Sequence, residues 1–239
     1  MKHSKLIALS PSALLVFSGC NMNNTTKGGL IGGGSGAALG TLIGGLIGKS
    51  AGGAAIGAGI GAAVGAGAGI LIGKKMDKAK AAAEAVENAQ VESVTDANGL
   101  QAVKVTFDSG ILFASGKSDL SATAKSSLSQ FAKNVLIPNS DMDVAIQGYT
   151  DNSGFKGCTT EQSYQKNLEL SQNRASAVSA YLLNLGVPGK QIASTQGFGE
   201  ENPVADNSTA AGKQQNRRVE VYLYASAEMI QQANAGTLQ

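Results

Sequence analysis

Apolar and polar residues follow two different rhythms along this chain. Up to about residue 73 the sequence is mostly glycine and aliphatic with few charges. From about residue 93, short alternating and helix-spaced patterns take over. In this second region Val103, Val105 and Phe107 alternate with polar residues, as on a half-buried strand. An earlier β-rich piece precedes them across Asp96-Ala97-Asn98-Gly99, which signals a hairpin. Ser121 caps a predicted helix reaching about residue 136, with Ala124, Leu128, Phe131, Ala132 and Val135 on one face, and Pro138 ends it. Val144, Ile146 and Gly148 mark a strand. A long helix is predicted over 161–185 with Leu168, Ala175, Val178 and Leu182 facing inward, stopped by Gly186. A short strand is predicted over 192–198. Val219, Val221 and Leu223 then alternate with Glu220, Tyr222 and Tyr224 as a final strand. The order β-α-β-α-β-β predicts an α+β fold over residues 93–225, an α/β sandwich with helices packed on one sheet. Residues 226–239 read as a tail with a short helix.

The first region reads differently. Lys2 and Lys5 followed by an apolar stretch make residues 1–19 a signal peptide, too short to span a bilayer. "VFSGC" resembles a bacterial lipobox, which implies cleavage before Cys20 and lipidation (palmitate among the acyl chains) of that residue. An ordinary signal peptide followed by a structural cysteine is the alternative. Residues 20–27 form a short linker. Gly28, Gly32, Gly36, Gly40, Gly44, Gly48 and Gly52 recur every four residues, as do Gly53, Gly57, Gly61, Gly65, Gly69 and Gly73. That spacing lays a side-chain-free stripe along a helix, which permits close backbone approach. Residues 28–48 would span about 31 Å as a helix, one hydrocarbon core. Residues 28–75 are therefore expected to form a glycine-zipper helical hairpin, packed in a membrane or as a homo-oligomer. A disordered tether is the rival reading. Residues 76–92, rich in Ala, Lys and Glu, are expected to be a helical connector with a solvated polar face.

Charge and rare residues narrow the chemistry. A net charge of +2 demands no nucleic-acid partner. The single histidine, His3, lies in the segment expected to be removed. Ser-His-Asp and Cys-His catalysis, HExxH zinc sites and histidine proton shuttles are thereby excluded. No cofactor or metal site and no catalytic residue is expected. If Cys20 is lipidated, Cys158 has no intramolecular partner.

Four ordered blocks, "GYTDNSG", "NLELSQNRASAVSAYLLNLGV", "GFGEENPVADN" and "GKQQNRRVEVYL", together resemble the OmpA-like peptidoglycan-binding domain. The resemblance implies noncatalytic binding of diaminopimelate in peptidoglycan stem peptides. The free end of diaminopimelate is zwitterionic, so its site needs one fixed anion and one fixed cation. Asp151 suits the ammonium, and an arginine clamps a carboxylate bidentately. The family's arginine falls on Arg174. By the same resemblance Thr150, Asn152 and Asn167 are second contacts, and Arg218 is a further candidate. From the residues alone, Asp151 is equally an Asx-turn residue, and Arg174 a surface ion-pair partner. Arg217 and Arg218 are adjacent, and the sequence does not say which faces the site. "FKGCTTEQSY" (155–164) is extra relative to the family pattern. It is expected to lengthen the following helix, with Thr159 or Thr160 as its cap, or to form a lip over the pocket.

Three functions remain open. The leading one is a lipoprotein that tethers membrane to cell wall, its C-terminal domain in the periplasm. Asn21 after the lipid cysteine points to the outer membrane by analogy. The second is a membrane-active zipper oligomer anchored to the wall. The third is a peptidoglycan hydrolase using a carboxylate pair, Asp151 with Glu161 or Glu169.

Overall fold

In the computed structural model, residues 64–96 and 99–238 are described. The signal segment, Cys20 and the glycine-zipper hairpin up to residue 63 lie outside them. Helix α1 (Ala66–Glu84) is followed by strands β1 (Ala89–Thr95) and β2 (Gln101–Asp108) and the single-turn helix α2 (Ser109–Leu112). Next come helix α3 (Ala122–Phe131), strand β3 (Met142–Gly148), the long helix α4 (Thr160–Asn184) and strand β4 (Ile192–Gly197). Helix α5 (Ala210–Asn216), strand β5 (Arg218–Ala225) and helix α6 (Ala227–Asn234) complete the order.

The strands form one sheet in the order β1-β2-β5-β3-β4. β1 and β2 are the predicted hairpin, and β5 lies antiparallel between β2 and β3. β4 runs parallel to β3, joined by the α4 crossover. The alternation does what it predicts. Val103, Val105, Phe107, Val144, Ile146, Val219, Val221 and Leu223 share one hydrophobic core with apolar residues of α1, α3, α4 and α6. Ala102, Ala145, Tyr222 and Tyr224 form a second small cluster on the other face.

Ser121 caps α3 by accepting from the Ala124 N–H at 2.9 Å. Past Phe131 the helix widens into a π turn (Ala132–Leu136), and Pro138 sits in the short 3₁₀ turn that ends it. The extra residues before α4 build a capping box, with Thr159 and Gln162 bonding reciprocally. Gly186, at φ +92°, terminates α4 in a conformation that costs glycine nothing.

The expected connector is not a separate spacer. α1 is continuous from Ala66, across the expected end of the zipper segment. It buries Ala68, Ile72, Met76, Ala79 and Ala83, a helix-spaced stripe, in the domain core. It stops at Glu84 rather than running to 92, because Asn88 takes a left-handed φ of 61° and the next residues pair with β2. Lys75 pairs with Asp141, and Asn234 at the end of α6 accepts from the Gly65 N–H at 3.1 Å. Among the described residues no helix is long and apolar enough to cross a membrane.

Candidate functional site

Two glycines set the depth of the site. A Cβ on Gly148, at the end of β3, would lie 2.3 Å from the Ser171 carbonyl oxygen. One on Gly197, at the end of β4, would lie 2.1 Å from the Gln172 nitrogen. No larger residue fits, so the α4 backbone rests directly on the ends of both strands. This brings Arg174, on α4, beside the loop that leaves β3. A cleft of about 620 Å³ opens there, lined by Asp151, Arg174, Arg217, Thr150, Asn167 and Phe113 among others.

Asp151 is 6% exposed. Its two oxygens do different work. Oδ1 accepts from the Ser153 N–H at 2.8 Å and so shapes the turn, while Oδ2 pairs with the Arg217 guanidinium. The turn reading holds, and the second oxygen carries an ion pair. Burial works against the carboxylate. The Arg217 hydrogen bond, bonds from the Ser153 backbone and side chain, and the Arg217 charge outweigh it, and the Asp151 pKa falls below its ordinary value.

Arg174 is not a surface residue, being 4% exposed. Its Nε–H donates to the Lys117 carbonyl at 3.0 Å, and its guanidinium lies 5.1 Å from the centroid of the Phe113 ring. Desolvation, then the neighbouring Arg217 charge, lower its pKa, and Asp151 opposes them. A guanidinium remains charged at neutral pH regardless. Its orientation is fixed by one backbone acceptor and one aromatic face. Asn167 braces the surroundings, donating to the Ser153 carbonyl at 3.2 Å and to Glu200 Oε2 at 3.0 Å.

Two hydroxyls lining the cleft, Ser109 Oγ and Thr150 Oγ1, are buried without a hydrogen-bond partner. Buried polar atoms are normally satisfied, and orphans that face a cleft suit a bound ligand. Among the described residues no cluster of His, Cys, Asp and Glu has metal-binding geometry. The arrangement holds charges of both signs at fixed positions. The Asp151 carboxylate is ionised, beside guanidiniums that cannot accept a proton.

The comparisons with known proteins bear on this same stretch. Residues 112–217 match the OmpA family. Residues 1–77 match the YMGG-like Gly-zipper family. The probable lipoprotein YiaD of Escherichia coli is 46% identical over 80 residues, 34% of this chain and 32% of its own. The peptidoglycan-binding protein ArfA of Mycobacterium bovis is 46% identical over 81 residues, 34% of this chain and 22% of its own. The chain thus spans about a third and about a fifth of these two relatives. A crystal structure of a MotB-like protein from Desulfovibrio vulgaris has the same fold, with a TM-score of 0.54 at 23% identity, covering 64% of this chain and 93% of that one.

Asp151, Arg174, Thr150 and Asn167, all within the stretch that matches the OmpA family, line this cleft. Asn152 is exposed and does not line it. Arg218 is a correction. It lies away from the cleft, with Nε–H donating to Glu220 Oε1 at 2.7 Å and its guanidinium 3.8 Å from the Tyr149 ring centroid. The guanidinium facing Asp151 is that of Arg217. Strand alternation explains the exchange. Arg218 shares parity with Glu220 and Tyr222, on the face away from the helices, whereas Arg217 shares parity with core-facing Val219 and Val221. That signal was present in the sequence. Ser109 and Phe113 carried no comparable one. Phe155, from the extra segment, also lines the cleft, with its N–H bonded to Ser163 Oγ at 3.1 Å. The extra residues therefore form both a longer helix start and a lip. Cys158 is a half-buried free thiol that does not line the cleft.

Proposed function

We propose that this protein is a noncatalytic envelope lipoprotein whose OmpA domain binds the diaminopimelate of peptidoglycan stem peptides. Asp151 receives the side-chain ammonium, and Arg174 the adjacent carboxylate. Thr150 and Ser109 supply hydroxyls that lack partners among the described residues. The observation that carries this reading is the placement of a buried carboxylate and a buried, oriented guanidinium in one cleft of the domain that matches the family. The printed description of ArfA as peptidoglycan-binding and of YiaD as a probable lipoprotein supports it. Cys20 is the proposed lipid anchor, and the glycine-zipper segment adds a membrane or self-association contact. The chain then links the outer membrane to the wall from the periplasmic side. α1 belongs to the wall-binding domain, so the anchor-side segment enters that domain directly rather than through a loose spacer.

Asp151 is held ionised, the opposite of a general acid. Co-sedimentation of the purified protein with isolated sacculi tests the proposal. Binding is expected, with competition by free diaminopimelate and no release of soluble muropeptides. Failure to sediment with the wall would reject the binding role, and muropeptide release would reject the noncatalytic one.

A further inference from the structure

We propose that Arg217 is a built-in competitor for the ammonium seat on Asp151, and that this competition makes the cleft select a zwitterionic ligand end over a bare ammonium. The inference rests on the reading of the cleft given above and concerns how it discriminates.

Without ligand, the seat is filled. Asp151 Oδ2 pairs with Arg217, Oδ1 is engaged by Ser153, and the Asp151 side chain is only 8% exposed. An incoming ammonium has to displace the guanidinium. Arg217 is the group able to leave. Its side chain is 38% exposed, whereas its backbone is fixed by the Arg217 N–H to Lys213 carbonyl bond at 3.1 Å and the Ser109 N–H to Arg217 carbonyl bond at 3.0 Å. Arg174 cannot take that part, since Lys117 and Phe113 hold it in place.

Displacement has an electrostatic consequence. The charged side chains lining the cleft are two cations, Arg174 and Arg217, and one anion, Asp151. A ligand bringing only an ammonium releases Arg217 from its anion and adds a third positive charge to the cleft. Like charges in a partly desolvated space repel more strongly than in water. A ligand carrying a carboxylate on the same carbon as its ammonium avoids this. The exchange then runs from Asp151–Arg217 to Asp151–ammonium plus carboxylate–Arg217, with Arg174 beside it. The number of ion pairs does not fall, and the ligand carboxylate meets planar guanidinium donors suited to bidentate contact. Discrimination therefore comes from what Arg217 loses with the wrong ligand as much as from contacts to the right one. The accepted class is an amino-acid end with free amine and free carboxylate. A lysine-type ammonium, or the same diamino acid with that carboxyl amidated, is disfavoured.

The test uses the full chain in detergent micelles, titrated calorimetrically with three synthetic stem peptides. These differ only in the third residue, which is meso-diaminopimelate, its side-chain-amidated form, or lysine. The wild type is expected to favour the diaminopimelate peptide by about tenfold or more over the other two. In Arg217→Met that preference is expected to shrink to about threefold or less, with tighter binding of the lysine peptide than in the wild type. Arg217→Gln gives the same readout if the methionine variant fails to fold. An unchanged preference in the variant, or no gain for the lysine peptide, overturns the competitor role while leaving the site reading intact. A wild type that binds none of the three peptides overturns the site reading and this inference together.

Discussion

Arg217 and Arg218 are neighbours in the chain and belong to opposite kinds of environment. Arg218 sits in a closed network. Its guanidinium holds Glu220 and two backbone carbonyls, those of Asn216 and Asn202, and covers the Tyr149 ring. Tyr222 donates its hydroxyl to the other Glu220 oxygen at 2.7 Å, and Tyr149 donates to Gln147 at 2.7 Å. Arg217 is half-exposed, its side chain pairs with Asp151 alone among the hydrogen bonds formed, and it borders a cleft with two orphaned hydroxyls. The first environment is satisfied internally and fixes the β5 end of the sheet. The second keeps two buried hydroxyls, in residues that line the cleft, without hydrogen-bond partners among the described residues.

Mutations at the two places should separate stability from binding. The largest effect is expected from Arg218→Met, which takes the guanidinium from buried Glu220 and leaves it the Tyr222 hydroxyl and Lys104 at 4.0 Å. Breaking a buried ion pair from one side costs about 3–5 kcal/mol, and thermal or urea unfolding measures it. Tyr222→Phe removes one donor from the same carboxylate and should cost about 1–3 kcal/mol. Both variants, where folded, should bind sacculi like the wild type. Thr150→Val, in the cleft, should leave stability unchanged or slightly raised, because the hydroxyl it removes has no partner to lose. Its affinity for the diaminopimelate peptide should fall by roughly threefold to tenfold, about 1 kcal/mol for a neutral hydrogen bond.

The smallest expected effect depends on pH. The Asp151 pKa is depressed in the folded state, so its contribution to stability is fully present above the unfolded carboxylate value, about 3.9. It is lost as pH falls through the lower folded value. The stability difference between wild type and Asp151→Asn should be constant above about pH 5 and shrink below about pH 4, by under ~1 kcal/mol in all, since Arg217 is partly solvated. The described residues contain no histidine, so binding should stay flat between about pH 5 and 8.

Much of this was legible in the sequence where periodicity was clean. Val103 to Phe107 and Val219 to Leu223 declare strands, and Ala175, Val178 and Leu182 declare the buried face of α4. The family's blocks pointed to Asp151 and Arg174, which share one cleft, whereas spacing alone leaves Asp151 as a turn residue and Arg174 as a surface ion-pair partner. The sequence misled where composition stood in for context. The Ala/Lys/Glu run suggested a helical connector with a solvated Lys/Glu face; Lys78, Glu84 and Glu87 are indeed exposed, but the stripe of Ile72, Met76, Ala79 and Ala83 packs into the core. Strand pairing then overrode helix propensity after Asn88. The choice between Arg217 and Arg218 is settled by extending the parity of Val219 and Val221 back to Arg217, a step that composition and family blocks do not supply. Ser109 and Phe113 enter the cleft through the fold alone, since their single-turn helix meets α4 only in three dimensions.

The most direct test of the central claim is calorimetric titration of the diaminopimelate stem peptide into Asp151→Asn and Arg174→Gln, each checked for a wild-type unfolding transition. The expected result is a loss of about 30-fold or more in affinity for each, from the ~2 kcal/mol or more that follows removal of one partner of a desolvated charge pair. Wild-type affinity in both folded variants would contradict the assignment of this cleft as the peptidoglycan site.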